Sequence, residues 1–253
     1  MVILQKRKYV NMISTVDDIV NVVNNSDNIV FFGGAGISTE SGIPDFRSVD
    51  GLYNQEYDYP PETILSASFF KQNPKEFYRF YKNKCLKPML NAEPNNTHKA
   101  LAKLEKEDKL KAIVTQNIDD LHHRAGNKRI YELHGTSFRN HCLKCGKQYT
   151  VEDIINDDRD IFTCECGGIV RPDIVLYEEP LDDNVVAGSI KAISECDTLI
   201  IAGTSLVVYP AAGLIRYYRG HKLILINLSQ VPNEDEIDYV YHGKAGEVFS
   251  RFL

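Results

Sequence analysis

Four cysteine side chains lie close enough in the sequence to share one metal ion. Cys142 and Cys145 form a C-x2-C pair, and Cys164 and Cys166 form a C-x-C pair after 18 intervening residues. Two thiolate pairs on two turns can surround a zinc ion tetrahedrally, which leaves that ion no position for a reacting water. The pattern predicts one structural zinc ion, and the glycines from Gly167 onward would let the second turn bend. A reduced, metal-free loop is the alternative.

A second group of polar residues could carry acid–base chemistry. His134 lies at a predicted strand end beside Gly135, which leaves room for a ligand, and histidine can act as a general base near neutral pH. Asn117 and Asp119 follow another predicted strand. A structural or surface role is the alternative for any single histidine. We assign that role to His122, His123, His141, His221 and His242.

The third candidate is a glycine-rich turn, Gly34-Ala35-Gly36, which follows an apolar run and precedes a segment that we expect to be helical. Small residues would let the backbone approach a pyrophosphate, whose charge is favoured at a helix start. The dinucleotide-binding pattern G-x-G-x-x-G is met only in part, because Thr39 stands at its third glycine. Taken alone, the pattern is equally typical of an ordinary tight turn.

All three groups depend on short apolar runs that are typical of buried strands. Residues 28–32 lead into the glycine turn, 111–115 into Gln116, and 129–133 into His134. Strands that alternate with helices predict a parallel sheet, in which ligands bind at the carboxyl ends of the strands. The other predicted strands are 198–202 and 223–227, and the predicted helices are 17–23, 74–84, 97–106, 185–194 and 211–218.

The composition is that of an ordinary globular protein. The chain has 253 residues, of which 43% are apolar and 25% charged, and a net charge of -6. This charge gives no reason to expect binding to nucleic acid or to an anionic membrane. The apolar runs are far shorter than the roughly 18 residues of a membrane span, and the N-terminal residues lack a secretory pattern. We therefore expect a cytoplasmic protein with reduced cysteines, in which Cys85 and Cys196 are simply buried.

Longer segments around these candidates resemble the sirtuin family. Residues 36–47, Gly-Ile-Ser-Thr-Glu-Ser-Gly-Ile-Pro-Asp-Phe-Arg, are similar to its first signature residue for residue. Residues 115–119, Thr-Gln-Asn-Ile-Asp, resemble its second signature, and 133–135, Leu-His-Gly, its third. Residues 203–206 and 226–227 are similar to its later nucleotide-contacting segments. The matches come in the family's order and span essentially the whole chain.

The resemblance implies an α/β fold, namely a Rossmann-like parallel sheet domain with a small zinc-binding and helical lobe formed by insertions. The catalytic domain would span 14–253, and the acetyl-lysine tunnel would lie between the two lobes. The implied core segments are 14–44, 98–135 and 173–253, and the implied insertions are 45–97 and 136–172.

The resemblance also implies an NAD-dependent protein-lysine deacetylase that consumes NAD. The acetyl-lysine carbonyl oxygen would attack the ribose carbon as nicotinamide leaves. His134 would take a proton from a ribose hydroxyl, which then attacks the acetyl carbon, and the products would be free lysine and O-acetyl-ADP-ribose. Asn117 and Asp119 would order the ribose and a water, and Phe46 would shield the ribose. The implied NAD-binding residues are Gly34, Ala35, Gly36, Thr39, Phe46, Arg47, Gln116, Asn117, Ile118, Asp119, His134, Gly203, Thr204, Ser205, Asn227 and Ala245.

Residues 171–179 resemble the strand segment that pairs with the substrate peptide, a mode of binding with little sequence selectivity. Ile174, Val175 and Leu176 are the implied substrate contacts. The family's usual ending Phe-Gly-Glu is Tyr-Glu-Glu here, so Glu178 in place of glycine could alter the groove. The C-x-C pair of cysteines is likewise one residue shorter than the usual pattern.

The acyl preference can be argued from one further segment. Relatives that prefer succinyl-lysine carry a Tyr-x-x-Arg pair after the first signature, whereas Tyr53 is followed at that spacing by Glu56. A carboxylate-bearing acyl group would lack a cation partner, which favours acetyl or other neutral acyl groups.

The expected partners are acetylated proteins, with no nucleic acid and no membrane, and we expect a monomer. Two alternatives stay open. The same site could transfer ADP-ribose to a protein or remove other neutral acyl groups. A protein without enzymatic activity could instead sense NAD or ADP-ribose and use the zinc module for docking. His134, Asn117 and Asp119 together favour an enzyme, because binding alone needs no base.

Overall fold

A parallel sheet of six strands lies at the centre of residues 13–46, 51–52 and 59–253, the part of the chain that the computed structural model describes. A smaller antiparallel sheet of three strands lies beside it. The strands, in chain order, are β1 (Ile29–Gly33), β2 (Leu110–Thr115), β3 (Ile130–Glu132), β4 (Gly135–Cys142), β5 (Gln148–Tyr149), β6 (Val170–Ile174), β7 (Thr198–Ala202), β8 (Lys222–Asn227) and β9 (Tyr239–His242).

The strand order explains where a ligand can bind. The large sheet runs β3-β2-β1-β7-β8-β9, and the small sheet runs β5-β4-β6. The chain leaves β1 first to one side, through β2 and β3, and later to the other, through β7 to β9. A crevice forms where the order reverses, at the carboxyl ends of β1, β2 and β7. This confirms the predicted α/β class with a Rossmann-like parallel sheet.

Helices surround the sheets, and some of them are shorter or tighter than the sequence suggested. The helix predicted over 74–84 changes to a π-helix at its end, and 211–218 forms a 3-10 helix. The α-helices are α1 (Val16–Asn24), α2 (Pro61–Ile64), α3 (Ala67–Gln72), α4 (Pro74–Phe80), α5 (Lys87–Asn91), α6 (Asn96–Lys106), α7 (Leu121–Ala125), α8 (Val151–Ile155), α9 (Asp183–Glu195) and α10 (Ala245–Phe249). The tighter or wider helices are Ala35–Ile37, Thr39–Ser41, Tyr81–Leu86, Ala211–Tyr217, Glu234–Glu236 and Ser250–Phe252.

The large sheet has an apolar core on each face, because side chains alternate along a strand. In β1, Ile29 and Phe31 pack on one face with α1, α6 and α10, whereas Val30 and Phe32 pack on the other face with α9. β1 is fully buried along its length. Such burial on both faces is typical of a central parallel strand, and it holds the strand ends rigidly at the crevice.

A third apolar core joins the helices before α6 to the small sheet. Phe77, Tyr78 and Tyr81 are fully buried in it, and the Tyr78 hydroxyl donates a hydrogen bond to the Val170 carbonyl of β6. The aromatic residues around Pro74 therefore connect α4 to the sheet that carries the cysteines.

None of the helices in the described ranges combines the length and the apolar character that a membrane span requires.

The structure refines the sequence predictions near the crevice. The segment after the glycine turn, which we expect to be helical, forms two 3-10 turns that end at Gly42, whose φ is 85°. Pro44 follows within two residues and prevents a longer helix. The edge strand β9 was not predicted, because its tyrosines are only partly buried. Arg47, Tyr53 and Glu56 lie outside the described residues.

A pair of buried histidines makes the fold sensitive to acid. The rings of His98 and His122 lie 4.8 Å apart, and both ring nitrogens of His122 are buried without a hydrogen-bond partner in the described part of the chain. Burial lowers the pKa of His98 to about 4 and that of His122 well below its ordinary value. Below about pH 6.5 the unfolded chain binds protons at these two histidines, whereas the folded protein does not. The free energy of unfolding therefore decreases as pH falls through this range.

We expect His122→Phe to reduce this loss. The substitution keeps a ring beside Phe31 and removes two unpartnered nitrogens, so the free energy of unfolding should fall less steeply below pH 6.5, by up to about 1.4 kcal/mol per pH unit. Urea denaturation between pH 7.5 and 5 measures the slope. The exposed His221→Gln is the control and should leave it unchanged. An identical slope in His122→Phe and the wild type would contradict the assignment.

Candidate active site

A cleft of about 460 Å³ lies at the carboxyl ends of β1, β2, β7 and β8. Nearly all the residues that the sequence singled out line it, although they come from segments up to 211 positions apart (34 to 245). Arg47 falls outside the described residues. The predicted site residues on the cleft wall are Gly34, Ala35, Gly36, Thr39, Phe46, Gln116, Asn117, Ile118, Asp119, His134, Ile174, Val175, Leu176, Gly203, Thr204, Ser205, Asn227 and Ala245.

The turn after β1 lies in direct backbone contact with the end of β7. Gly36 N–H donates to the Gly203 carbonyl oxygen at 2.8 Å, and a Cβ atom on Gly36 would lie 2.8 Å from Gly203 Cα. Gly203 itself has a φ of 61°, and a Cβ atom there would overlap the Ile37 nitrogen. Both positions therefore require glycine for the packing of the two strand ends. This packing leaves a floor of backbone without side chains, which suits a closely approaching phosphate group.

A hydrogen-bonded triad of buried side chains, Ser38, Asn117 and Asp119, also lines the cleft. Asn117 Nδ2 donates to Ser38 Oγ at 3.0 Å, and Ser38 Oγ donates to Asp119 Oδ2 at 2.6 Å. The other oxygen of Asp119 accepts a bond from Leu121 N–H at 3.0 Å. Burial raises the pKa of Asp119, and the bonds from Ser38 and Leu121 oppose that rise. The triad fixes the orientation of the Asn117 amide and the Asp119 carboxyl group.

Ser38 was not among the predicted site residues. It is 1% exposed and connects two residues that were. The signal was present in the sequence, because Ser38 lies within residues 36–47, the first of the segments that the sequence singled out. Its partners are 79 and 81 positions away, and no local pattern identifies them.

The structure defines which nitrogen of His134 can act as a base. Nδ1 lies 2.9 Å from the Gln116 carbonyl oxygen, which can only accept a hydrogen bond, so Nδ1 carries the proton and Nε2 keeps its lone pair. Burial lowers the pKa of His134, although the bond to Gln116 opposes this shift. The ring is therefore neutral at physiological pH. Gly135 has a φ of 70°, and a Cβ atom there would overlap the Asp173 carbonyl oxygen.

The far end of the cleft brings together residues from β2, β7, β8 and α10. Gln116 Nε2 donates to Thr204 Oγ1 at 3.1 Å, which connects two of the residues predicted to hold the nucleotide. Asn227 Nδ2 donates to the Ser229 carbonyl oxygen at 2.8 Å. Glu40, which was not predicted, accepts a bond from Gly246 N–H at 2.9 Å beside Ala245. The arrangement offers amide and hydroxyl groups on one wall of an apolar cleft.

The predicted substrate segment forms another part of the cleft wall. Ile174 ends β6, and Val175 N–H donates to the His134 carbonyl oxygen at 2.9 Å, so this segment directly adjoins the candidate base. Arg171 pairs with Glu179 through two bonds of 2.7 and 2.9 Å, and Glu179 also accepts a bond from Leu176 N–H at 2.8 Å. The Glu179 carboxylate thus fixes the turn that follows the segment.

The four cysteines of the predicted zinc site come together in space. Their Sγ atoms all lie within 4.8 Å of one another, and the pairs Cys142–Cys166 and Cys145–Cys164 are 3.5 and 3.6 Å apart. Those separations are too long for disulfides, and they approach the roughly 3.8 Å edge of a tetrahedron with bonds of about 2.3 Å. The residues therefore fit one tetrahedral zinc ion, despite the short C-x-C spacing.

Glycines make the short spacing possible. Gly167 has a φ of 78°, and its N–H donates to the Cys164 carbonyl oxygen at 2.8 Å, which closes a tight turn around the pair. A Cβ atom on Gly168 would lie 2.6 Å from Cys142 Sγ. The bend that the sequence suggested is therefore present at Gly167, and Gly168 leaves space for the facing cysteine.

A second group of metal-ligand types, Asp120, His123 and Glu132, lies behind the cleft. Its side chains already have a cation, since Arg139 donates to Glu132 at 3.1 Å. His123 Nε2 lies 3.4 Å from the other Glu132 oxygen, and this bond raises the pKa of His123. We interpret the group as an ion-pair network, and the structural role of His123 stays a prediction.

The other histidines outside the candidate base occupy varied positions. His122 is buried, His221 is exposed and His141 pairs with Asp173. In His242, Nδ1 lies 3.3 Å from the Asn227 carbonyl oxygen and Nε2 lies 3.1 Å from Glu234. The structural role predicted for these residues stays a prediction. Cys85 and Cys196 are buried, as expected.

Comparisons with known proteins extend the similarity over nearly the whole chain. Residues 34–210 match the Sir2 family. An NAD-dependent protein deacetylase of Clostridium acetobutylicum is 53% identical over 245 residues, which cover 96% of this chain and 99% of that protein. The protein of the same name from Clostridium perfringens is 54% identical over 246 residues, which cover 94% and 100% of the two chains.

Solved structures give the same result for the fold. A Sir2 protein with a deacetylated p53 peptide and 3'-O-acetyl-ADP-ribose is similar with a TM-score of 0.86 at 39% identity, covering 94% of this chain and 97% of that one. Another, with a p53 peptide and NAD+, has a TM-score of 0.82 at 40% identity, with the same coverage of 94% and 97%.

We expect Ser38→Ala to destabilise the protein. The change leaves an oxygen of buried Asp119 without its donor and the Asn117 amide without its acceptor, which should lower the free energy of unfolding by about 1–3 kcal/mol. Urea denaturation at pH 7.5 measures the effect. Ser250→Ala, at an exposed serine, should change it by less than about 0.5 kcal/mol. Equal stabilities of the two variants would contradict the proposed triad.

We expect Cys166→Ser to lose zinc. The wild-type protein should carry one zinc ion per chain, and removing one of four thiolates should lower both the bound zinc and the melting temperature. Metal analysis after dialysis measures the first, and a thermal melt measures the second. Cys196→Ser is the matched control, because Cys196 is buried outside the cluster, and it should keep the zinc. A Cys166→Ser protein with a full zinc ion would argue against the site.

Proposed function

This chain belongs to the Sir2 family, and from that premise we propose that its cleft carries out the NAD-dependent deacetylation of lysine side chains in proteins. The enzyme consumes NAD and acetylated protein, and it releases nicotinamide, O-acetyl-ADP-ribose and the free lysine. Family membership rests on the match over residues 34–210 and on relatives that are more than 50% identical.

The observation that carries the proposal is the environment of His134. Its Nδ1 proton is held by the Gln116 carbonyl oxygen, so Nε2 is left with the lone pair of a general base. Its lowered pKa keeps the ring neutral at the pH where it must accept a proton. The same residue adjoins the substrate segment at Val175 and lines the same cleft as Asn117. A base at the junction of nucleotide and peptide walls fits proton removal from a ribose hydroxyl.

The other residues of the cleft wall bind and orient the nucleotide. We assign Asn117 and Asp119 to the nicotinamide ribose, the water and the carboxamide, because Ser38 fixes both side chains. Gln116 and Thr204, which are hydrogen-bonded to each other, hold the phosphates and the adenosine ribose, together with the residues at the end of β8.

The glycine floor and the remaining wall residues complete the assignment. The turn at Gly36 gives the phosphates room, Phe46 shields the reacting ribose, and Ala245 contacts the adenine. We assign contacts with the peptide to Ile174, Val175 and Leu176. The residues that we assign to contacts with the nucleotide are Gly34, Ala35, Gly36, Thr39, Phe46, Arg47, Ile118, Gly203, Ser205, Asn227 and Ala245.

The four cysteines hold one structural zinc ion. Bound zinc supplies folding free energy in such sites and takes no part in the reaction, because four thiolates fill its coordination shell. We also propose that the protein is cytoplasmic and monomeric. The free cysteines support a reducing compartment, and size-exclusion chromatography with light scattering tests the monomer.

Two alternatives use the same cleft. ADP-ribose transfer to a protein would yield a modified protein rather than O-acetyl-ADP-ribose, and a sensor would bind NAD without consuming it. The free Nε2 lone pair of His134 favours an enzyme over a sensor, because binding alone needs no base. Mass spectrometry of the protein and nucleotide products separates the three.

We expect His134→Tyr to bind NAD and to lose deacetylation. Purified protein is incubated with NAD and an acetyl-lysine peptide, and mass spectrometry follows the loss of acetyl. The rate should fall by about 10²- to 10⁴-fold, while the dissociation constant for NAD, measured by calorimetry, changes little. The exposed His221→Gln should keep the wild-type rate. Surviving deacetylation in His134→Tyr would refute the assigned base.

The pH dependence of the deacetylation rate provides a second test of His134 as the base. Because the pKa of His134 is lowered, the wild-type rate should hold from pH 8 to about 6.5 and fall only at lower pH, as the ring takes up a proton. A fall that begins above pH 7 would show that a different group is the base.

A further inference from the structure

The substrate segment ends in a residue whose backbone conformation is unusual for its type. Glu178 has a φ of 76°, in the left-handed region that favours glycine. A side chain at such a position is disfavoured unless it makes compensating contacts. Its carboxylate makes two, with Oε2 accepting from Ser68 N–H at 2.9 Å and Oε1 from Ser68 Oγ at 2.9 Å.

The backbone of Tyr177, just before Glu178, is hydrogen-bonded around the start of α3, the helix that contains Ser68. Tyr177 N–H donates to the Leu65 carbonyl oxygen at 3.0 Å, and Ala67 N–H donates to the Tyr177 carbonyl oxygen at 3.0 Å. Together with the contacts of Ser68, four hydrogen bonds hold residues 177–178 against the beginning of α3. The Glu178 carboxylate is therefore fixed in position, although the residue is exposed.

The fixed carboxylate lies between two cavities. Tyr177 and Glu178 line the large cleft, and both also line a separate cavity of about 260 Å³. The second cavity therefore opens beside the segment that we assign to the peptide. Its described lining includes a second carboxylate, Glu62 of α2, and no lysine or arginine. A peptide that extends past Leu176 would carry a neighbouring side chain into a region of negative charge.

We propose that Glu178 determines substrate specificity, by favouring a lysine or arginine that flanks the acetyl-lysine. This inference rests on the proposed deacetylation and on the assignment of 174–176 to the peptide. Because the two hydrogen bonds from Ser68 hold the carboxylate, it meets an incoming ammonium or guanidinium group without first losing side-chain freedom. A flanking aspartate or glutamate meets like charge.

The expected preference is modest, because the carboxylates are exposed to water. A basic flanking residue should raise kcat/KM by about two- to fivefold over an acidic one, which corresponds to about 0.4–1 kcal/mol and lies within the range of exposed ion pairs. Salt screens such pairs, and the preference should shrink at about 1 M sodium chloride.

The test uses the full chain, NAD and peptides with a central acetyl-lysine and alanine at the other positions. Each of three positions on either side is replaced in turn by lysine or by glutamate, and mass spectrometry gives kcat/KM for each peptide. The wild type should favour lysine at one position or two neighbouring ones. Glu178→Gln keeps an oxygen for Ser68 N–H but removes the charge, and it should abolish most of that discrimination.

Two further variants separate charge from structure. Glu62→Gln removes the second carboxylate from a residue outside the peptide segment, and it should reduce the discrimination in part. Glu107→Gln, at an exposed residue after α6, is the matched control and should keep the wild-type ratio. Each ratio is taken within one variant, so a general loss of activity does not mimic the result.

Three results would overturn the inference: no position in the wild type distinguishes lysine from glutamate, the discrimination survives unchanged in Glu178→Gln, or Glu107→Gln removes it equally well. If the wild type deacetylates the alanine-flanked peptide but shows no discrimination, only the role of Glu178 fails. If it deacetylates none of the peptides in the presence of NAD, the proposed function itself fails.

Discussion

The cleft depends on one backbone contact, between Gly36 in the turn after β1 and Gly203 at the end of β7. A central strand and its neighbour end side by side, and their backbones touch through a hydrogen bond of 2.8 Å. Any side chain at either glycine would push the turn and the strand apart. The bare floor, the position of Ser38 behind it and the opening toward Thr204 all follow from this contact. The glycines are thus required by the protein's own packing as well as by a phosphate.

Burial also determines the protonation state of the polar groups in the cleft. The pKa of Asp119 is raised and that of His134 is lowered, in both cases chiefly because the surroundings disfavour a charge. Hydrogen bonds act in the opposite direction and fix the geometry, from Ser38 to the carboxyl group and from His134 to the Gln116 carbonyl oxygen. A cleft that is mostly apolar can therefore hold a neutral base and an oriented amide.

Much of this arrangement could be predicted from the sequence, because strands and their ends are local features. The run 198–202 was placed without error, since five consecutive apolar or β-branched residues are typical of a buried strand. The cluster of cysteines was equally local. The contacts of Ser38 and Glu178 were not, because their partners are 79 to 110 positions away. The segment 35–41 forms two 3-10 turns rather than one longer helix, because Gly42 takes a φ of 85° and Pro44 follows.

The long strand of the small sheet has a consequence for how this protein can change. β4 begins at Gly135, next to the candidate base, and ends at Cys142, the first zinc ligand. Thr136, Ser137 and Asn140 in this interval are buried, so a change in its length would have to be absorbed inside the protein. The strand therefore ties the position of the candidate base to that of the metal lobe.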